Sequence, residues 1–198
     1  MPTKKSAITP DIYQIKVTLR GTSPPIWRRL LVPANATLEQ LHDVLQAAMG
    51  WDDCHMHEFG AGQRRFGQLN PDDWSDVEDE RTARLFSILG RVGAKALYTY
   101  DFGDTWEHTI VLEKRLPAEP NLAYPLCTGG RLACPPEDCG GIGGFYDLLE
   151  AIGDPNHDQH KELLDWPGED YDPEVFSVDH VNRKLAYLQR RRGKASRG

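Results

Sequence analysis

An α+β fold, with an antiparallel or mixed sheet and C-terminal helices, follows from three features of this sequence. Residues 12–32 and 95–114 alternate apolar and polar positions around turn residues, the pattern of half-buried hairpins. Three of the helical periodicities fall after residue 144, so strands come first and helices last. A composition of 39% hydrophobic and 27% charged residues is that of an ordinary packed domain.

The elements can be justified in order. Residues 1–11 hold Pro, Thr, Lys and Ser with little apolar content and are expected to form a flexible N-terminus ahead of a single domain over 12–189. Tyr13, Ile15, Val17 and Leu19 share one face of a strand, and Ile26 to Val32 returns after the Gly21–Pro25 turn. Arg28 and Arg29, being adjacent, point to opposite faces. Thr37 and Gln40 form a capping box for a helix carrying Leu38, Leu41, Val44, Leu45, Ala48 and Met49, closed by Gly50. The opening is therefore strand, strand, helix, which is β-grasp-like. His42, Trp51 and Glu58 read as helix-edge and strand residues.

Short strands are expected at His55–Phe59 and Gln63–Phe66. The six acids between Asn70 and Glu80 (Asp72, Asp73, Asp76, Glu78, Asp79 and Glu80) read as a solvated loop. Leu85, Ile88, Leu89 and Val92 suggest a short helix. In the second hairpin, Gly103-Asp104 suits a two-residue primed turn, which pairs Phe102 with Thr105 and Asp101 with Trp106. That register puts Asp101 and His108 on one face as diagonal neighbours and covers both faces of a central strand pair. Residues 115–144, with five prolines, six glycines and three cysteines, read as a structured loop, and Gly140–Gly144 as a flexible turn. Helices follow at Phe145–Ile152, at His157–Asp165 capped by Asn156, and at Ser177–Arg191.

Charge and chemistry narrow the function. The net charge is −7, yet five of the 23 bases and none of the 30 acids lie beyond Gln189, so residues 1–189 carry −12. Any nucleic-acid contact is expected to be weak and to run through a basic flexible tail over 190–198, by Arg190, Arg191, Arg192, Lys194 and Arg197. No run of about 18 apolar residues spans a membrane, and no signal-peptide layout opens the chain, so a cytoplasmic protein is expected. The glycine-rich stretch lacks the Lys-Ser/Thr of a phosphate loop.

Two constellations could carry chemistry. His55 and His57, as i and i+2 on a strand, would present two imidazoles side by side, and His108 oriented by Asp101 would complete a facial metal site able to activate water. Cys127, Cys134 and Cys139 with His157 or His160 offer a tetrahedral zinc set, although their spacing is not that of zinc knuckles. Asp104 and Glu107 are a carboxylate pair of low specificity. No recognisable catalytic set emerges, which leaves three readings: a binding or adaptor domain, a DNA-associated accessory protein, and a metal-dependent hydrolase.

Several stretches together carry a resemblance: Ile26-Trp27-Arg28-Arg29, Gly50-Trp51, His55-Met56-His57-Glu58-Phe59, Tyr100 to His108, and Ala133-Cys134-Pro135-Pro136-Glu137-Asp138-Cys139-Gly140-Gly141. From about Tyr13 to Leu188 the chain resembles the plasmid pRiA4b ORF-3-like family, whose members are often labelled TnpR-like passengers of mobile elements. The resemblance implies an α+β domain of uncharacterised role and supplies no catalytic residue. The residues themselves do not support recombinase chemistry, since Ser6 and Ser23 lie in the N-terminal segment and a turn, and no basic recognition helix is present.

Overall fold

The computed structural model describes residues 11–69, 76–166 and 171–195. The element order is β1 (Asp11–Leu19), β2 (Trp27–Pro33), α1 (Leu38–Met49), β3 (His57–Ala61), β4 (Arg64–Gly67), β5 (Val77–Asp79), α2 (Leu85–Ile88), β6 (Lys95–Tyr100), β7 (Trp106–Pro117), β8 (Leu126–Arg131), α3 (Gly141–Gly153), α4 (His160–Asp165) and α5 (Val178–Ala195). One eight-stranded mixed sheet, in the order β5-β4-β3-β6-β7-β1-β2-β8, organises the chain. Its neighbours run antiparallel except β4 and β5. The fold is thus α+β with the strand, strand, helix opening.

Period-two alternation places Tyr13, Ile15, Val17 and Leu19 of β1 in the core beside Leu30 and Val32 of β2. Gln14, Lys16 and Thr18 lie half-buried on the other face. Helix α1 lays Leu38, Leu41, Leu45 and Met49 against the inner face. Its capping box is formed as expected: Gln40 N–H donates to Thr37 Oγ1 (3.0 Å), and Thr37 N–H donates to Gln40 Oε1 (3.1 Å). Gly50 at φ 100° ends the helix in the left-handed region. The N–H groups of Leu38 and Glu39 donate to the Glu80 carbonyl, so the acidic segment holds the start of α1.

The second hairpin corrects the expected register. Its loop is five residues, 101–105, and Tyr100 pairs with Trp106 and Tyr98 with His108. Asp101 sits at φ 55°, and its carboxylate accepts from Gly103 N–H at 2.8 Å, opening the turn one residue early, while Thr105 at φ 57° closes it. A one-residue change in pairing exchanges the faces of β6, which buries Ala96, Tyr98 and Tyr100 with Trp106, His108 and Ile110. Two large tyrosines thereby enter the core in place of Leu97 and Thr99. The pair of strands is central, but its second face is only half-buried.

Other boundaries shift for identifiable reasons. The 115–144 stretch contains the edge strand β8, and β7 runs on to Pro117. The Gly141–Gly144 stretch is the first turn of α3. A Cβ at Gly141 would stand 2.6 Å from the Asp104 carbonyl oxygen, and one at Gly144 1.8 Å from that of Cys139, so these glycines serve close packing. Helix α4 starts at His160 rather than His157, and Asn156 donates to Asp154 instead of capping it. Helix α5 continues through Arg190 and Arg191 to Ala195, so the expected tail boundary falls inside a helix. Of the expected flexible N-terminus 1–11, Asp11 instead begins β1, while residues 1–10, Asp72, Asp73 and Arg197 lie outside the described residues. Along α5, Val181 and Leu185 are buried, and the Asn182 side chain accepts from Cys127 N–H (2.8 Å) and donates to the Cys127 carbonyl (3.0 Å) on β8.

Arg28 joins these parts. Its guanidinium, on the inner face of β2 and 2% exposed, donates to the carbonyls of Ala48 in α1 (2.9 Å), Trp27 (2.9 Å) and Arg131 at the end of β8 (3.0 Å). A further N–H points to Cys134 Sγ at 3.4 Å, and the plane lies 4.1 Å from the Phe176 ring centroid. Arg28→Met should therefore destabilise the fold by about 4 kcal/mol, because the buried Ala48 carbonyl and two partly buried ones lose charged donors. Arg28→Lys should recover only part of that, as one ammonium cannot reproduce the planar fork. Urea unfolding midpoints would check this, and a near-neutral Arg28→Met would refute it.

Candidate functional site

Beneath α1, the inner face of β3, β6 and β7 is paved with histidines and aromatic rings. His42 projects from α1, His57 from β3, Tyr98 and Tyr100 from β6, Trp106 and His108 from β7, and Trp51 from the loop after α1. All seven are buried. Trp51 stacks on Tyr100 with centroids 5.0 Å apart and meets His108 edge-on at 5.3 Å, while its Nε1–H donates to the Pro135 carbonyl at 2.9 Å.

Two histidine–carboxylate pairs lie in this layer. His57 Nε2–H donates to Glu80 at 2.7 Å, with both side chains almost fully buried. His42 belongs to a closed circuit: Gln46 Nε2–H donates to the Tyr98 hydroxyl (3.0 Å), that hydroxyl donates to His42 Nδ1 (2.8 Å), His42 Nε2–H donates to Asp53 (2.7 Å), and Asp53 N–H returns to Gln46 Oε1 (3.1 Å). The two imidazoles stack with centroids 3.4 Å apart and planes 6° from parallel. Burial is the main cause that holds His42 below the ordinary histidine value, and the charge of His57 adds to it. Although ligand atoms of His42, Asp53 and His57 converge, an ion cannot lie in both ring planes when the rings are stacked and parallel. His42 and Asp53 are joined here by a hydrogen bond, and the stacked rings do not form a metal centre.

The four residues of the expected facial cluster do not converge on one point; only His55 and Asp101 stay together. His57 faces Glu80. His55 precedes β3 rather than sitting on it, so the i, i+2 rule does not apply, and it turns instead toward Asp101 and Asp138. His108 is fully buried, with Nδ1 3.4 Å from the Tyr98 carbonyl oxygen and Nε2 unpartnered. The register change removes Asp101 from its face.

The cysteine set is likewise dispersed into individual contacts. Cys134 lies against Arg28 and Met49, Cys127 against Asn182 and Gly129, and Cys139 against Gly141. Burial raises Cys139 to about 12. His160 Nδ1–H donates to the Ala151 carbonyl, and His157 Nδ1 accepts from Gln159 N–H. Neither convergent ligand group among the described residues contains a cysteine. Asp104 accepts from Gly140 N–H, and Glu107 pairs with Arg20.

Sequence reasoning missed His42, Asp53, Glu80 and Asp138. His42 had a usable signal, since it sits four residues after Leu38 on the apolar stripe of α1. Glu80 had none, because a buried partner supplied by a distant strand is invisible in a local acidic run.

A concavity borders this layer at Trp51 and Asp53. A groove of about 860 Å³ runs between α1 and α5, with Asp43, Asp52 and Asp53 on one wall and Arg183, Lys184 and Arg191 on the other. Tyr187, 56% exposed, stands at its rim. A second hollow of about 560 Å³ shares Trp51 and Lys184 and reaches Arg28 and Phe176.

The model of the plasmid pRiA4b ORF-3-like proteins matches residues 11–180. The chain belongs to this family. It is 40% identical over 178 residues to the uncharacterized protein y4hQ of Sinorhizobium fredii (strain NBRC 101917 / NGR234), spanning 88% of this chain and 91% of that one. The crystal structure of MM3350 from Methanosarcina mazei Go1, described as a protein of unknown function, superposes with a TM-score of 0.80 at 37% identity, covering 86% of this chain and 97% of that one. This pRiA4b ORF-3-like protein thus shares sequence with both relatives and its fold with the second.

Burial lowers His108 to about 4, whereas an unfolded histidine titrates near ~6.5. Between these values the unfolded chain takes up a proton that the folded chain refuses, so stability falls as pH drops from about 6.5 toward 4. His42 acts in the same direction. The loss from His108 alone should be about 2 kcal/mol, read as a shift in urea midpoint between about pH 7 and pH 4.5. In His108→Gln most of that slope should vanish; an unchanged slope would exclude His108 as its source.

Proposed function

We propose that this protein is a binding or adaptor domain, associated with mobile elements, that holds a segment of a partner protein in the groove between α1 and α5. The observation that carries this reading is the groove itself, with facing acidic and basic walls and an exposed tyrosine at its rim. Opposed charge along one channel selects a segment bearing both signs and fixes its register, while the aromatic ring contributes contact area at low entropic cost. The family's description, drawn from a plasmid reading frame, supports seeking the partner among proteins encoded on the same element. All four cysteines are free thiols, which supports a reducing setting such as the cytoplasm; among the described residues no helix is long and apolar enough to cross a membrane.

Peptides selected from a displayed random library on the immobilised protein should carry both charge signs and bind with micromolar Kd. Lys184→Glu or Tyr187→Ala should each weaken them by about tenfold. Selected peptides that ignore both changes would overturn the reading.

Nucleic acid, on this reading, is a weak and non-specific ligand of the basic run from Arg190. With at most five cations available, the slope of log K against log salt should be no steeper than about −4.5. Truncation after Gln189 should abolish DNA binding. Tight, sequence-specific binding by the truncated chain at physiological salt would instead favour a DNA accessory role.

A further inference from the structure

We propose that His55, Asp101 and Asp138 form a binding site for one first-row divalent cation of mixed nitrogen and oxygen preference, Zn²⁺ being the best match. The proposal is independent of the groove. One ligand atom from each residue lies within 4.8 Å of the other two. His55 Nε2 stands 3.1 Å from Asp138 Oδ1 and 3.7 Å from Asp101 Oδ2. Ligand atoms sharing an ion at bonds of about 2.0–2.2 Å are separated by roughly 3–3.6 Å, so these spacings are close to the edges of a coordination polyhedron.

Hydrogen bonding does not account for the arrangement. His55 Nε2 has no solvent-accessible surface and no hydrogen-bond partner, although two carboxylates flank it. The contrast lies within the same molecule, where His42 and His57 each align an N–H with a carboxylate at 2.7 Å. His55 instead aims a nitrogen at the space between two acids.

The ligands are held by their surroundings. Asp101, its side chain 9% exposed, has Oδ1 occupied by Gly103 N–H and its own N–H donated to the Met56 carbonyl, which leaves Oδ2 directed at His55. Such fixing of a ligand carboxylate by a neighbouring donor is what metal sites use to orient their ligands. Asp138 is 68% exposed, so remaining positions open to water. Two carboxylates and a neutral imidazole carry −2, matching a divalent ion, and the imidazole disfavours Ca²⁺ and Mg²⁺ relative to Zn²⁺. Cys54, exposed beside His55, lies outside the convergent group.

The test is calorimetric titration of the chelator-stripped, tag-free full chain with ZnCl₂ near about pH 7.5, where an ordinary histidine is neutral. One Zn²⁺ per chain is expected, with a Kd of about 1–10 μM, together with a rise in melting temperature. Asp138→Asn, at an exposed position that tolerates the change, should weaken binding by about tenfold or more. His55→Ala should do the same while melting at the metal-free wild-type temperature, and Cys54→Ser should bind as wild type. Absence of stoichiometric binding, indifference to Asp138→Asn, or loss of binding in Cys54→Ser would each overturn the assignment.

Discussion

Arg28 is the constraint on which the rest of the molecule depends. A guanidinium removed from water without a carboxylate must spend its N–H groups on neutral acceptors, and those it finds belong to different parts of the chain. The Ala48 carbonyl is near the C-terminal end of α1, where a cation also meets the negative end of the helix dipole. The Arg131 carbonyl closes β8, and Phe176 leads into α5. One side chain thus fixes the distance between the sheet, the helix upon it and the loop that carries Cys134. The groove walls on α1 and α5 inherit their separation from this contact.

The histidine-rich layer follows the same economy. Most polar groups in this layer come in matched sets, His57 with Glu80 and His42 with Tyr98, Gln46 and Asp53, while His108 Nε2 and Trp106 Nε1 stay unpartnered. A closed circuit of donors and acceptors is directional, so it specifies one packing of α1 on the sheet where apolar contacts alone would permit sliding. Glu80 does this twice, through its carboxylate to β3 and through its carbonyl to the start of α1.

Much of this architecture was legible in the sequence because it depends on local periodicity. The alternation in 12–32, the capping box at Thr37 and Gln40, and the apolar stripe of α5 each express a rule that acts within a few residues. What failed depended on distant partners. The Gly103-Asp104 turn was plausible alone, but the Asp101 Asx-turn and the burial of two tyrosines decided the register. Gly141 and Gly144 resembled a flexible loop because the atoms they must approach, the carbonyls of Asp104 and Cys139, are set by tertiary packing. The candidate site was half legible: His55 and Asp101 were singled out and do face each other, but Asp138 comes from another loop and His57 belongs to a different pair.

The Asn182 contact with β8 has a consequence for the solubility of the sheet. An open eight-stranded sheet has two edges, each a template on which another chain could lay a strand. At one edge, β5 is only three residues long and carries Glu78 and Asp79, paired with Arg64 and Arg81, charges that an added strand would have to desolvate. At the other, the Asn182 amide takes up both main-chain groups of Cys127, presenting to β8 the same donor and acceptor that a neighbouring peptide unit would. The side chain is a counterfeit strand one residue long, and it ends the sheet where intermolecular pairing would otherwise begin.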